Sequence, residues 1–237
     1  MLKEKAVAIE PKLQELEKEY VGLLLKIPNI PSADTPIGAD ESANKVLRQW
    51  GEKPAFSFTP KANWDLGPAL DIVDLEKAAQ VSGARFAYLK GDLARMQFAL
   101  VQFAFEALAD TDTLQTIADE AGVKVSITPF TPVVPPVLMR TSVMNRMARL
   151  HPMDDRYVFE KDDLVLIGSA EHTLGPLHMD ETIPEEKLPI RYVGYSTAFR
   201  REAGAAGKDT RGILRQHQFD KLEIESFSLP EHALDEQ

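Results

Sequence analysis

Apolar residues recur along the first 27 positions with helical spacing. Leu2, Ala6, Ile9, Leu13, Leu16, Tyr20, Leu23 and Ile27 form a ladder whose steps alternate between four and three, with Lys and Glu between them. Such a heptad seam belongs to a coiled coil or helical hairpin, or to a helix packed on its own domain. Pro11 falls inside it, and an interior proline deletes a backbone hydrogen bond and clashes with the preceding turn, so the helix is kinked there or begins near Glu10. Prolines 28, 31, 36, 54, 60 and 68 then divide the chain into turns and short extended pieces. From Ala69 to Thr128 there is no proline; Leu89, Leu93, Met96, Leu100, Phe103 and Ala107 predict a packed helix, and Gly122 the end of a shorter one. Pro129, Pro132, Pro135 and Pro136 punctuate a valine-rich extended stretch, and Asp163–Ile167 and Arg191–Phe227 read as strands. Helices and strands fall in blocks. This favours an α+β fold, an antiparallel sheet flanked by helices, with a coiled-coil-type helix at the N-terminus.

Composition narrows the classes. At 237 residues with 44% hydrophobic and 27% charged positions, the chain is one substantial globular domain with an appendage, not a disordered, collagenous or membrane protein. No apolar run approaches the ~20 residues of a bilayer span. The first 20 residues are too charged for a signal peptide, and with no cysteine there are no disulfides, zinc-thiolate sites or thiol catalysis, so the expected location is cytoplasmic. A net charge of −10 means that nucleic-acid contact must be local. The five histidines show no metal-ligand spacing and read as structural or exposed. Met139, Met144, Met147 and Met153 read as core or dimer contact. Asp154, Asp155, Asp162 and Asp163 read as solvated turns.

Residues 191–227 carry the chemistry. Read as two strands joined by a Gly- and Ala-rich loop over Ala203–Gly212, with Lys208 and Arg211 in it, the first strand places Gly194, Ser196, Ala198, Arg200 and Glu202 on one face. Small residues leave room for a ligand, and a cation and an anion follow as handles. The return strand aligns Arg215, His217, Phe219, Lys221 and Glu223. An aromatic plane can stack a nucleobase, arginine can fork onto phosphate, and a carboxylate can hold an ammonium. Periodicity alone favours an exposed hairpin laced with salt bridges.

The segment resembles motif 2 of the class II aminoacyl-tRNA synthetases, specifically the seryl-tRNA synthetases. The resemblance lies in Phe199-Arg200-Arg201-Glu202, Ala203-Gly204-Ala205-Ala206-Gly207, Asp209-Thr210-Arg211-Gly212 and Arg215-Gln216-His217-Gln218-Phe219. Other pieces agree in order: Ile27-Pro28-Asn29 closing a helical arm, Ser82-Gly83-Ala84-Arg85-Phe86 opening a helix, Pro135-Pro136 at the place of motif 1, and Ser169-Ala170-Glu171 before motif 2. The resemblance covers essentially the whole chain. It divides it into residues 1–27, a remnant of the helical tRNA-binding arm, and 28–237, the N-terminal part of the catalytic domain.

The resemblance implies a ligase that makes seryl-adenylate from serine and ATP and transfers the serine to tRNA(Ser), with tRNA(Sec) as a further candidate. By it, Arg200 bridges the α-phosphate and the serine carboxylate, as the catalytic residue. Arg201 and Glu202 lie at the ATP site, with Glu202 at the adenine end; Arg215 holds the triphosphate tail and Phe219 stacks on adenine. Serine is bound by Ser169, Ala170, Glu171, Arg200 and Glu223, the last receiving its ammonium. The family writes the first of these segments Thr-Ala-Glu, so here the hydroxyl is kept and a methyl lost. His217 takes a positioning role. Mg2+ accompanies ATP, and its ligands are expected outside this chain, as are motif 3 and the region that reads the serine hydroxyl. The chain is thus expected to be a piece of a longer product, truncated at both ends and inactive alone. A homodimer through Pro132–Met144 is implied, with no membrane or DNA partner. Two other readings are an amino acid:carrier-protein ligase of the same fold, against which residues 2–27 argue, and a non-catalytic dimerisation or binding module.

Overall fold

The computed structural model describes residues 2–203 and 211–237, apart from the side chains of Leu2 and Glu4. The loop expected over Ala203–Gly212 therefore lies mostly outside the described residues, Lys208 and the run Gly204–Thr210 included. The chain forms two units, Met1–Pro60 and Lys61–Gln237.

In the first unit, α1 (Leu2–Leu24) runs through Pro11 as one helix and does not wait for Glu10 to begin. Its seam residues Ile9, Leu13, Leu16, Tyr20 and Leu23 are exposed. The proline-rich stretch that follows holds only a 3-10 turn, Glu41–Ala43, whose Asp40 cap accepts from the Ser42 N–H at 2.9 Å.

The second unit opens with elements that the proline spacing hid: α2 (Asn63–Ala69), β1 (Val73–Asp74), α3 (Leu75–Ser82) and β2 (Tyr88–Leu89). Asp74 caps α3 by accepting from the Lys77 N–H at 2.8 Å. Ser82–Phe86, expected to open a helix, instead closes this one. Gly83 takes a φ of 103°, which a residue with a Cβ resists, and ends the turn. The next helix, α4, begins only at Gly91 and runs to Ala109. It buries only part of the expected ladder: Leu89, Leu93 and Ala107 are half-buried, but Met96, Leu100 and Phe103 are 58%, 62% and 68% exposed. Between Leu93 and Ala107, the half-buried stripe runs through Gln97, Val101 and Ala104 instead. Residues 98–109 are apolar almost all round, so spacing alone could not choose the face that packs. In α5 (Thr111–Ala121), Asp110 caps the start and Gly122 closes the end in the left-handed region, as expected.

Two sheets build the rest. One is antiparallel, β4 (Leu138–Arg140) beside β6 (Leu164–Leu166) beside β5 (Val158–Phe159). With α6 (Thr141–Arg146) it encloses a core of Met139, Met144, Val165 and Ile167, onto which Met147 packs, while Met153 is exposed. The other sheet has the order β3 (Thr131–Val133), β7 (Ile190–Phe199), β8 (Gln218–Phe227). The β7–β8 ladder is antiparallel over all ten residues, Ile190 opposite Phe227 and Phe199 opposite Gln218. The β3–β7 pair is parallel, the one departure from the antiparallel pattern among the described strands, and the long stretch carrying the β4–β6–β5 sheet supplies the crossover it needs.

Packing then fixes the site's two edges. The Phe199 N–H donates to the Ile167 carbonyl at 2.8 Å, drawing the end of β6 onto the end of β7. Beyond β6, α7 (Glu171–Leu174) lies on β7, where a Cβ on Gly194 would stand 2.4 Å from Leu174 Cδ1. Only a glycine lets the helix come this close. At the far end, Arg191 forms a forked ion pair with Glu236 of α8 (Ala233–Glu236), Nη2 to Oε1 at 2.5 Å and Nε to Oε2 at 2.9 Å, with both side chains about 95% buried. The Arg191 guanidinium also donates to the Thr128 carbonyl and lies over the Phe130 ring.

Candidate active site

Because residues directly opposite in an antiparallel ladder share a face, the register aligns three pairs: Ala198 with Phe219, Ser196 with Lys221, and Gly194 with Glu223. The small β7 side chains form a floor, and the β8 side chains stand on it in the order aromatic, cation, carboxylate. Successive pairs on one face are about 7 Å apart, so Phe219 and Glu223 are separated by roughly 13 Å.

At the aromatic end, the Arg200 guanidinium lies over the Phe219 ring, 5.3 Å from its centroid, and its Nε donates to the Gly168 carbonyl at 3.0 Å. The Arg200 N–H donates to the His217 carbonyl, and His217 Nδ1 donates back to the Arg200 carbonyl at 2.9 Å. That reciprocal pair continues the ladder past β7 and fixes the backbone from which Arg200 projects. The His217 ring rests against Phe86 and the edge of Tyr157, and the backbone N–H of His217 donates to the Arg85 carbonyl. These contacts hold the ring beside the Arg200 backbone. Glu202 and Arg215 meet at 3.4 Å. Arg201, of opposite parity, is exposed, and its N–H donates to the Asp155 carbonyl. Asp155 also accepts from the Ala203 N–H at 3.2 Å, so this expected solvated turn residue holds the entrance of the loop.

At the carboxylate end, Ser169 Oγ donates to Glu223 Oε2 at 2.5 Å, and Lys221 Nζ stands 2.5 Å from the same oxygen and 3.0 Å from Ser169 Oγ. Burial pushes the Glu223 carboxyl up, but the hydrogen bonds from Lys221 and Ser169 outweigh it and hold the group below the ordinary glutamate value. Glu225, next on the same face, is raised by burial and then by Glu171 and Glu223. Ala170 is fully buried against the α7-facing side of Gly194. Glu171 turns to Arg149 at 2.9 Å, outside the Ser169–Glu223 cluster.

The structure thus brings together Arg200 with Phe219, Glu202 with Arg215, and Ser169 with Glu223. It adds residues that sequence reasoning gave no role. Lys221 lies two positions from Phe219 and from Glu223, so period two had placed it on the ligand face. Ser196 is 3% exposed, and its Oγ has no hydrogen-bond partner among the described residues. His172 is buried beneath the site; its Nδ1 accepts from the Gly168 N–H at 3.2 Å, and burial first, then Arg156, lower its pKa to about 4. No pattern in the chain marked His172. Among the described residues, no group of three or more His, Asp or Glu side chains is placed to hold a metal ion.

The family description "tRNA synthetase class II core domain (G, H, P, S and T)" matches residues 157–237. The serine–tRNA ligase of Geobacillus sp. (strain WCH70) is 41% identical over 229 residues, 96% of this chain and 50% of its own length. That of Thermosipho africanus is 44% identical over 215 residues, 90% of this chain and 47% of its own. Among solved structures, seryl-tRNA synthetase from Pyrococcus horikoshii, complexed with ATP, superposes with a TM-score of 0.82 at 34% identity, covering 96% of this chain and 52% of that one. The cytoplasmic serine–tRNA ligase of Naegleria fowleri, in complex with AMP, gives 0.77 at 31% identity. The chain spans about half the length of the curated relatives it matches. Its α+β fold and its alignment over nine-tenths of its residues make it a homologue of the class II serine–tRNA ligases.

Proposed function

We propose that the β7–β8 face holds ATP and serine for formation of seryl-adenylate, and that the protein to which these residues belong passes the serine to tRNA(Ser). The observation that carries this reading is the order along one face of β8: an aromatic ring covered by a guanidinium at one end, and a hydroxyl-bonded carboxylate at the other. The spacing suits an adenylate, with the base at Phe219 and the α-ammonium at Glu223. A base that stacks on the covered face of Phe219 takes the place of the Arg200 guanidinium. Arg200 is then free to turn to the α-phosphate and the serine carboxylate, which lie between the two ends.

In the reaction the serine carboxylate attacks the α-phosphorus and pyrophosphate leaves. Negative charge grows on the phosphoryl oxygens, so a fixed guanidinium stabilises the transition state more than the ground state. No proton has to be abstracted. Arg215, held by Glu202, is placed for the triphosphate tail, and Arg201 for the outer edge of the nucleotide. Mg2+ accompanies ATP in such chemistry and screens its phosphate charge. The described residues do not group to hold it.

The same reading makes α1 part of a tRNA-binding arm and the Pro132–Met144 region, where Val134 and Leu138 are exposed, a homodimer contact. A cytoplasmic location goes with it; no described helix is long and apolar enough to cross a membrane.

Titration of the chain with 5′-O-[N-(L-seryl)sulfamoyl]adenosine, an uncleavable adenylate analogue, tests the assignment. Phe219→Ala and Glu223→Gln should each weaken binding about tenfold or more, as expected for a lost base stack and a lost ion pair. Gln218→Ala, on the other face, should not. Equal affinities across all of these variants would overturn the reading. Pyrophosphate exchange into ATP with serine, alanine and glycine follows the reaction itself. Weak exchange is expected from this chain alone, and rapid serine-selective exchange would refute that expectation.

A further inference from the structure

Lys221 stands midway between the two ends of the site, and its Nζ rests on Glu223 Oε2 and Ser169 Oγ. Glu223 is the group proposed above to receive the ammonium of serine, and Ser169 is hydrogen-bonded to it. A lysine Nζ and an α-ammonium are the same chemical object at this point: a compact cation with three N–H donors and no acceptor. The hydrogen-bond directions are consistent. Ser169 Oγ spends its one hydrogen on Glu223 and its lone pairs on Lys221 and the Glu171 N–H, so the cluster is complete only with a cation in place. A half-buried carboxylate without a counter-ion is costly, which gives the lysine a reason to be there.

Across the ladder, Lys221 is directly opposite Ser196. Directly opposed side chains have Cβ atoms about 5 Å apart, within easy reach of a lysine stem. The buried Ser196 hydroxyl, which lacks a partner among the described residues, is therefore a second station for the same Nζ.

We propose that Lys221 is an internal stand-in for the substrate ammonium: it holds Glu223 and Ser169 in their binding arrangement until an α-ammonium displaces it toward Ser196. This rests on the seryl-adenylate reading. Exchange of one ammonium for another leaves the charge around Glu223 unchanged, and the displaced cation moves to the middle of the face, where phosphate and carboxylate oxygens meet. Amino acid binding thereby improves the site for the nucleotide's α-phosphate, and by linkage the nucleotide improves it for the amino acid.

The test uses two probes, 5′-O-[N-(L-seryl)sulfamoyl]adenosine and its analogue with hydrogen in place of the α-amino group. The preference for the amino compound is the ratio of their dissociation constants. Lys221→Met removes the internal competitor and should raise that preference about tenfold or more, the scale of a charge-assisted hydrogen bond. An unchanged or lowered preference, or equal weakening of both compounds as expected of a direct substrate contact, overturns the proposal and leaves the adenylate reading standing. If neither compound binds the unaltered chain, the adenylate reading fails and Lys221's role with it. A second measurement needs no variant. The Lys221 Nζ resonance in 15N-labelled chain should shift on addition of the amino compound and stay in place with the other; the same shift with both refutes displacement.

Discussion

His172 makes the protein's stability depend on pH in a calculable way. Its imidazole is 5% exposed, accepts the Gly168 N–H on Nδ1, and lies within the fields of Arg156, Arg149 and Arg200, with Glu171 the opposing carboxylate. Protonation would bury a cation among cations and turn the Nδ1 acceptor into a donor aimed at another donor. Burial and Arg156 accordingly bring the pKa from 6.5 to about 4. The unfolded chain takes up this proton near 6.5, whereas the folded chain resists it until about 4. Stability from this group is therefore fully present above 6.5, is lost as pH falls, and levels out once the folded imidazole also protonates. At roughly 1.4 kcal/mol per pH unit the whole effect is about 3 kcal/mol, of which about 2–3 kcal/mol falls between pH 7 and pH 4.5. Urea unfolding of the chain and of His172→Gln, which keeps an acceptor for Gly168, isolates it from the other titrating groups. The difference in unfolding free energy between the two proteins should shift by about 2–3 kcal/mol against the unaltered chain from pH 7 to 4.5. A difference that stays constant with pH would refute the buried neutral imidazole.

Substitutions at two further contacts probe the scaffold around the site. Gly194→Ala would put a methyl group into Leu174 and should lose about 1–3 kcal/mol in the same urea assay while loosening α7 from β7; full stability would mean that α7 does not lie where the structure places it. Glu236→Gln leaves the Arg191 guanidinium buried beside a neutral amide and should lose about 3–5 kcal/mol, whereas the joint change Arg191→Met, Glu236→Leu should lose much less; equal losses would show that packing and not charge holds α8.

What the sequence could disclose follows from how each feature is encoded. The β7–β8 ribbon was legible because period two is rigid: once Gly194, Ser196 and Ala198 share a face, so must Phe219, Lys221 and Glu223 on a strand that pairs with it. Helix α4 was legible as a helix but not in its orientation, because both its stripes are apolar and the contact with β7 and β3 selects one. Pro11 and Pro68 misled for a related reason. Within α1 and α2 the lost hydrogen bond is tolerated, and the flanking helix formers carry the backbone through. The segment Ser169–His172 was readable only by resemblance. Its link to Glu223 spans 54 positions and depends on β6 ending beside β7, a tertiary fact with no local signature. The neutral state of His172 depends on arginines brought together by the same meeting of strands, so no spacing of histidines could have shown it.

The two ends of the site share one physical device. Arg200 lies on the ring where a base would stack, and Lys221 lies on the carboxylate where an ammonium would bind, so each polar or aromatic surface is covered by a cation from the chain itself. A cradle for a triphosphate and a zwitterion must gather positive charge, yet unpaired cations on one sheet face repel one another and loosen the fold. Parking each cation on the surface that its ligand will take resolves the conflict. The base and the ammonium do not merely fill space; each releases a cation toward the middle of the face. On the seryl-adenylate reading, the charge that stabilises the pentavalent phosphorus is then delivered by binding, and it arrives in full only when both ends are occupied. A compound with the base but no ammonium, or the ammonium but no base, should free only one of the two cations, so the two halves of an adenylate should bind cooperatively when supplied as separate molecules, AMP with serinamide. Calorimetric titration of serinamide with and without saturating AMP measures that coupling, and independent affinities would show that the two cations do not act together.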